Sequence, residues 1–91
     1  MAKAEVSWNR TNEEGERFQL YAHHVSKDWK FYIRQRRYEN WQALENPPLE
    51  DWLELLDAVR RRAARRLLRP EAVERIEKSI RERFPEAVIP D

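Results

Sequence analysis

The chain contains no cysteine. Disulfides, thiolate zinc sites and cysteine nucleophiles are therefore excluded. It has a single glycine, Gly15, which rules out a glycine-rich phosphate loop. Charge of one sign is missing too: 18 Lys and Arg stand against 17 Asp and Glu, a net charge of +1. Overall charge thus says nothing about a partner, and only its distribution can. No apolar run approaches the roughly 20 residues of a membrane span. The opening Met1-Ala2-Lys3-Ala4-Glu5 lacks the apolar core of a secretory signal. No membrane partner is expected, and the expected location is cytoplasmic.

Catalytic signatures are also sparse. Ser7, Ser26 and Ser79 have no nucleophile context. The carboxylates fall on helix starts and polar faces, with no acid–base pair recognisable. His23 and His24 are adjacent, so on a strand they point to opposite sides and do not share one ion. No enzyme activity, cofactor or metal site is expected.

Aromatic residues and patterned charge are what the chain does have. Four Trp, three Tyr and three Phe in 91 residues supply enough apolar mass for one small folded domain. The densest pattern is Trp29-Lys30-Phe31-Tyr32-Ile33-Arg34-Gln35-Arg36-Arg37-Tyr38. At period two, Trp29, Phe31 and Ile33 share one side, while Lys30, Tyr32, Arg34 and Arg36 share the other. Residues 17–25 alternate likewise: Phe18, Leu20 and Ala22 against Gln19, Tyr21 and His23. A shorter strand is expected over 5–10, and a weak fourth over 40–44. Thr11-Asn12-Glu13-Glu14-Gly15 reads as a polar turn with Gly15 at positive φ, and Ser26-Lys27-Asp28 as the next turn. An even-numbered hairpin loop sets Leu20 and Ala22 beside Ile33 and Phe31. An odd loop without a bulge would mix the two faces.

Asn46-Pro47-Pro48 closes the extended half. Asn46 is a candidate N-cap, with proline in the first helical turn. A helix is expected over 48–68, with Leu49, Trp52, Leu53, Leu56, Val59, Ala63 and Leu67 on its apolar stripe. Leu55 and Leu68 fall off that stripe, leaving apolar surface for a protein partner or a second copy of the chain. The start of this helix is acidic and its end basic, as the helix dipole favours. Arg61, Arg62, Arg65, Arg66 and Arg69 fan over its opposite side. Pro70 breaks the helix. A second one is expected over 71–84 on Val73, Ile76, Ile80 and Phe84, braced by the pairs Glu71–Arg75, Glu74–Lys78 and Glu77–Arg81. Pro85 ends it, and residues 85–91 are expected to be loose. The expected class is α+β: a three- or four-stranded antiparallel meander in a sheet half (5–45), then two helices in a helical half (47–84) packed on one of its faces.

Two segments, Lys30-Phe31-Tyr32-Ile33-Arg34-Gln35-Arg36-Arg37-Tyr38 and Pro48-Leu49-Glu50-Asp51-Trp52-Leu53-Glu54-Leu55-Leu56, resemble the positive-cofactor-four family of transcriptional coactivators. The resemblance spans residues 5–60 at most. It implies a small dimer binding single-stranded DNA on a curved sheet, with Ile33 and Trp52 at core positions and Arg34 as the strand arginine. Tyr38-Glu39-Asn40-Trp41 stands where that family has a Lys/Gly-rich approach to its last strand, and the second helix is additional.

The expected function is non-enzymatic binding of single-stranded DNA or RNA. Tyr21 and Tyr32 would stack bases, while Lys30, Arg34 and Arg36 follow the phosphates. Arg61, Arg62, Arg65 and Arg69 would add phosphate contacts. The competing expectation is a protein-interaction or homodimerisation module.

Overall fold

The computed structural model describes residues 5–25 and 28–90. The element order is β1 (Glu5–Thr11), β2 (Arg17–Val25), β3 (Asp28–Arg34), β4 (Gln42–Leu44), α1 (Leu49–Ala64) and α2 (Pro70–Arg83), an α+β arrangement. The chain divides into two units, Met1–Asn46 and Pro47–Asp91, at the Asn-Pro-Pro step where the sequence changes character. Among the described residues no helix is long and apolar enough to cross a membrane.

In the first unit the four strands form an antiparallel sheet in the order β1-β2-β3-β4. Leu20 pairs with Ile33, Ala22 with Phe31 and Tyr21 with Tyr32. Val25 pairs with Asp28, so two residues separate the strands and the loop is even, as the apolar pattern demands. Asp28 is thereby the first residue of β3 rather than part of a turn; Ser26 and Lys27 lie outside the described residues. On β1, Val6 faces Ala22 and Trp8 faces Leu20. One side of the sheet therefore carries Val6, Leu20, Ala22 and Phe31, all buried. Each large side chain so buried contributes about 1.5–3 kcal/mol. The Trp8 ring meets the Phe31 ring edge-on at 5.9 Å.

The β1–β2 connection is built by Asn12. Its Oδ1 accepts the Glu14 and Glu16 amides at 3.0 and 2.9 Å, and its Nδ2 donates to Glu16 Oε1 at 2.9 Å. Gly15 takes φ +85°, the left-handed conformation that glycine adopts without a Cβ clash. Gln35 Nε2 donates to the other Glu16 oxygen at 2.9 Å, tying this turn to the segment after β3. These hydrogen bonds favour the ionised carboxylate and hold its pKa below the ordinary range, Asn12 contributing most.

Strand β3 ends at Arg34 rather than continuing to Tyr38. Residues 35–39 turn instead, with the Glu39 amide donating to the Arg36 carbonyl at 3.0 Å. The fourth strand exists but is three residues long, Phe31 pairing with Leu44 and Tyr32 with Ala43.

In the second unit α1 starts after Pro48, an extended residue at the N-cap position. Asn46 is therefore not the cap. Glu50 and Asp51 occupy the first turn, where the positive end of the helix dipole favours them. The buried stripe is Trp52, Leu55, Leu56 and Val59, spaced i, i+3, i+4, i+7. Leu55, expected off the stripe, is fully buried, while Leu67, expected on it, is exposed. Leu55 is in phase with Trp52 and Val59, and for Leu67 the reason lies at the helix end. α1 stops at Ala64, and Arg66 adopts φ +62°. The Leu67 amide donates to the Arg62 carbonyl at 2.8 Å and the Arg66 amide to Ala63 at 3.0 Å. This is the double hydrogen bond of a Schellman turn, with arginine where glycine is usual. α2 then opens with Pro70 at its first position and buries Ile76 and Ile80. Arg60 spans the two helices, donating through Nη2 to Glu77 at 2.8 Å. Glu77 thus serves the interhelical contact rather than the expected Glu77–Arg81 pair. Arg60 Nη1 also donates to the Pro90 carbonyl. The Arg83 guanidinium lies 4.9 Å over the Trp52 ring.

Candidate functional site

The second side of the sheet follows from the same register. Ser7 and Asn9 of β1, Gln19, Tyr21 and His23 of β2, and Lys30, Tyr32 and Arg34 of β3 lie together, opposite the buried set. None of these eight is buried. Tyr21 and Tyr32, directly cross-strand, stack with ring centroids 4.8 Å apart and planes inclined by 18°. Trp41, just before β4, meets Tyr21 edge-on at 4.7 Å. Three aromatic rings thus adjoin on one surface. Burial, followed by the neighbouring Tyr32 and Glu5, pushes the Tyr21 pKa upward, so its hydroxyl remains protonated and can donate.

Arg34 is held by neutral groups. Its Nε donates to Gln19 Oε1 at 2.7 Å, and its guanidinium lies 4.2 Å from the centroid of the Trp41 ring. Neither contact cancels its charge, and no carboxylate pairs with it among the described residues. The cation–π contact and the hydrogen bond fix its direction. Lys30 is exposed, cross-strand from His23. His23 Nδ1 is shielded from solvent and stands 3.5 Å from Glu5 Oε1 without forming a hydrogen bond.

A cavity of about 300 Å³ opens beside this cluster, lined by Ser7, Trp8, Asn9, Gln19, Leu20, Arg34 and Trp41. Its lining comprises two tryptophans, a leucine, an oriented cation, two amides and a hydroxyl. No group of three or more His, Asp or Glu suited to a metal occurs among the described residues.

Of the expected binding residues, Tyr21, Lys30, Tyr32 and Arg34 share this surface. Arg36 does not: it lies in the turn after β3, exposed, and its Nη1 donates to the Tyr38 hydroxyl at 2.8 Å. The arginine series of the helical unit is also rearranged. Arg61 pairs with Asp57 at 2.8 Å, and Arg62 is half-buried in the last turn of α1. Arg65 caps α1 and Arg69 caps the start of α2, so both belong to the corner between helices rather than to one helix face.

Ser7, Asn9 and Trp41 were outside the expected site. Their signal was present but weak. Ser7 and Asn9 have the opposite parity to Val6 and Trp8 along β1, and Trp41 lies an even step before Ala43, the partner of Tyr32. Comparison with protein-family models, curated proteins and solved structures finds no match.

Proposed function

We propose that this chain is a small, non-enzymatic, cytoplasmic protein that binds single-stranded nucleic acid on the open side of its sheet. One observation carries the reading: Tyr21, Tyr32 and Trp41 adjoin on a surface that also bears Arg34 and Lys30 without paired carboxylates among the described residues. Rings accept bases of any identity, at about 1–3 kcal/mol per stacked base, while unneutralised cations follow the phosphates. The resemblance to the positive-cofactor-four family points the same way. Arg62, Arg65 and Arg69 offer the helical unit further phosphate contacts.

Fluorescence anisotropy with a labelled single-stranded oligonucleotide tests the reading. Binding is expected at ~50 mM salt and should weaken steeply as salt rises. Affinity weaker than about millimolar at that low salt would overturn it. A second reading, homodimerisation, draws support from β1, a seven-residue edge strand of the sheet. Leu55 gives it none, being fully buried. Sedimentation of a strict monomer at high concentration would remove this alternative.

A further inference from the structure

The cavity beside Trp41 has a polarity that the stacking surface alone does not require. An arginine Nε–H can only donate. The Gln19 atom 2.7 Å from Arg34 Nε must therefore be the carbonyl Oε1. This fixes the amide: its Nε2 hydrogens are turned away from Arg34, and one of the two lone pairs of its oxygen is occupied. The two terminal nitrogens of Arg34 are donors as well. One flank of the cavity, Gln19 with Arg34, is thus rich in donors. The other, Ser7 and Asn9 on β1, carries a hydroxyl and an amide oxygen that can accept. Trp41 borders both with a ring.

We infer that this cavity is a socket for one guanine base; the inference rests on the nucleic-acid reading above and gives it sequence preference. Guanine is the base with two adjacent acceptors, O6 and N7, on one edge, matching a donor-rich flank. Its N1–H and N2 amino group, on the Watson–Crick edge, meet the acceptors of Ser7 and Asn9. Adenine places an amino donor beside N7 and so opposes donor to donor. Cytosine presents an amino donor where guanine presents O6. A volume of about 300 Å³ lies at the small end for ligand pockets and suits one base rather than several.

The test uses the full chain and labelled thymine oligonucleotides of about eight nucleotides, identical except for one central base. Anisotropy is compared for guanine, adenine and 7-deazaguanine, which keeps O6 but lacks the N7 acceptor. Guanine should bind about tenfold tighter than adenine, and 7-deazaguanine should lose most of that advantage. The variant Gln19→Glu keeps an acceptor for Arg34 Nε but replaces the outward donors by an oxygen. It should collapse the guanine-to-adenine ratio whatever its effect on overall affinity. Equal binding of the three oligonucleotides would overturn the socket and leave the general reading standing, with Arg34 taking a phosphate. Failure of all three to bind would overturn both. Because the 7-deazaguanine arm needs no substitution, a variant that misfolds does not decide the outcome.

Discussion

Arg34 in the sheet unit and Arg60 and Arg61 in the helical unit carry the same charge into different company. Arg60 and Arg61 each meet a carboxylate at 2.8 Å. Arg34 meets an amide oxygen and an indole ring. The first arrangement cancels charge, and in the case of Arg60 it also links the two helices. The second orients a charge and leaves it available. Arginine-rich composition therefore does not locate a binding surface; the identity of each guanidinium's neighbour does.

The comparison breaks most sharply through binding. Replacing Trp41 by Ala should cost about 1–3 kcal/mol of oligonucleotide affinity, because a stacking ring and the support of Arg34 go together. Arg34→Ala should weaken binding strongly as well, whereas Arg61→Ala should change affinity by about twofold or less. Anisotropy titrations over a salt series measure all three. Equal losses at Arg34 and Arg61 would erase the distinction.

Stability gives the next effect. Glu77→Ala leaves Arg60 without its half-buried partner across the helices and should cost on the order of 1–2 kcal/mol in urea unfolding. Asp57→Ala removes an exposed i,i+4 pair and should cost no more than about 0.5 kcal/mol. A larger loss at Asp57 than at Glu77 would reverse that ranking.

The smallest effect concerns the sheet unit alone. Glu16 has its pKa lowered in the folded chain, so its stabilising contribution is present above the unfolded value of about 4.5. It is lost as pH falls through the lowered folded value. The melting temperature of Glu16→Gln should therefore fall below that of the parent at pH 7, and the two should converge in acid. A gap that widens on acidification would contradict the sign.

Most of the fold could be read from period. Strands with one buried side alternate strictly, and a one-residue slip would have exposed Leu20 and Phe31. The strand limits were harder. Arg36 and Tyr38 continue the alternation on paper, yet nothing pairs with them in the sheet. Local pattern does not record where pairing stops. On α1 the stripe drawn through Leu67 assumed a longer helix, and the actual end at Ala64 leaves Leu67 exposed, while Leu55 is buried because it lies three residues after Trp52 and four before Val59. Half of the candidate surface is legible because β2 and β3 are consecutive in sequence and pair antiparallel. Ser7, Asn9 and Trp41 reach it through strand neighbours, and that depends on sheet order.

The corner between the helices has a consequence for handedness. Arg66 holds a backbone angle natural to a mirror-image amino acid. A chemically synthesised chain with D-arginine at 66 would keep the same side chain and charge while relieving the crowding of its Cβ. An enantiomeric swap, ruinous in any strand of this molecule, should here raise the melting point.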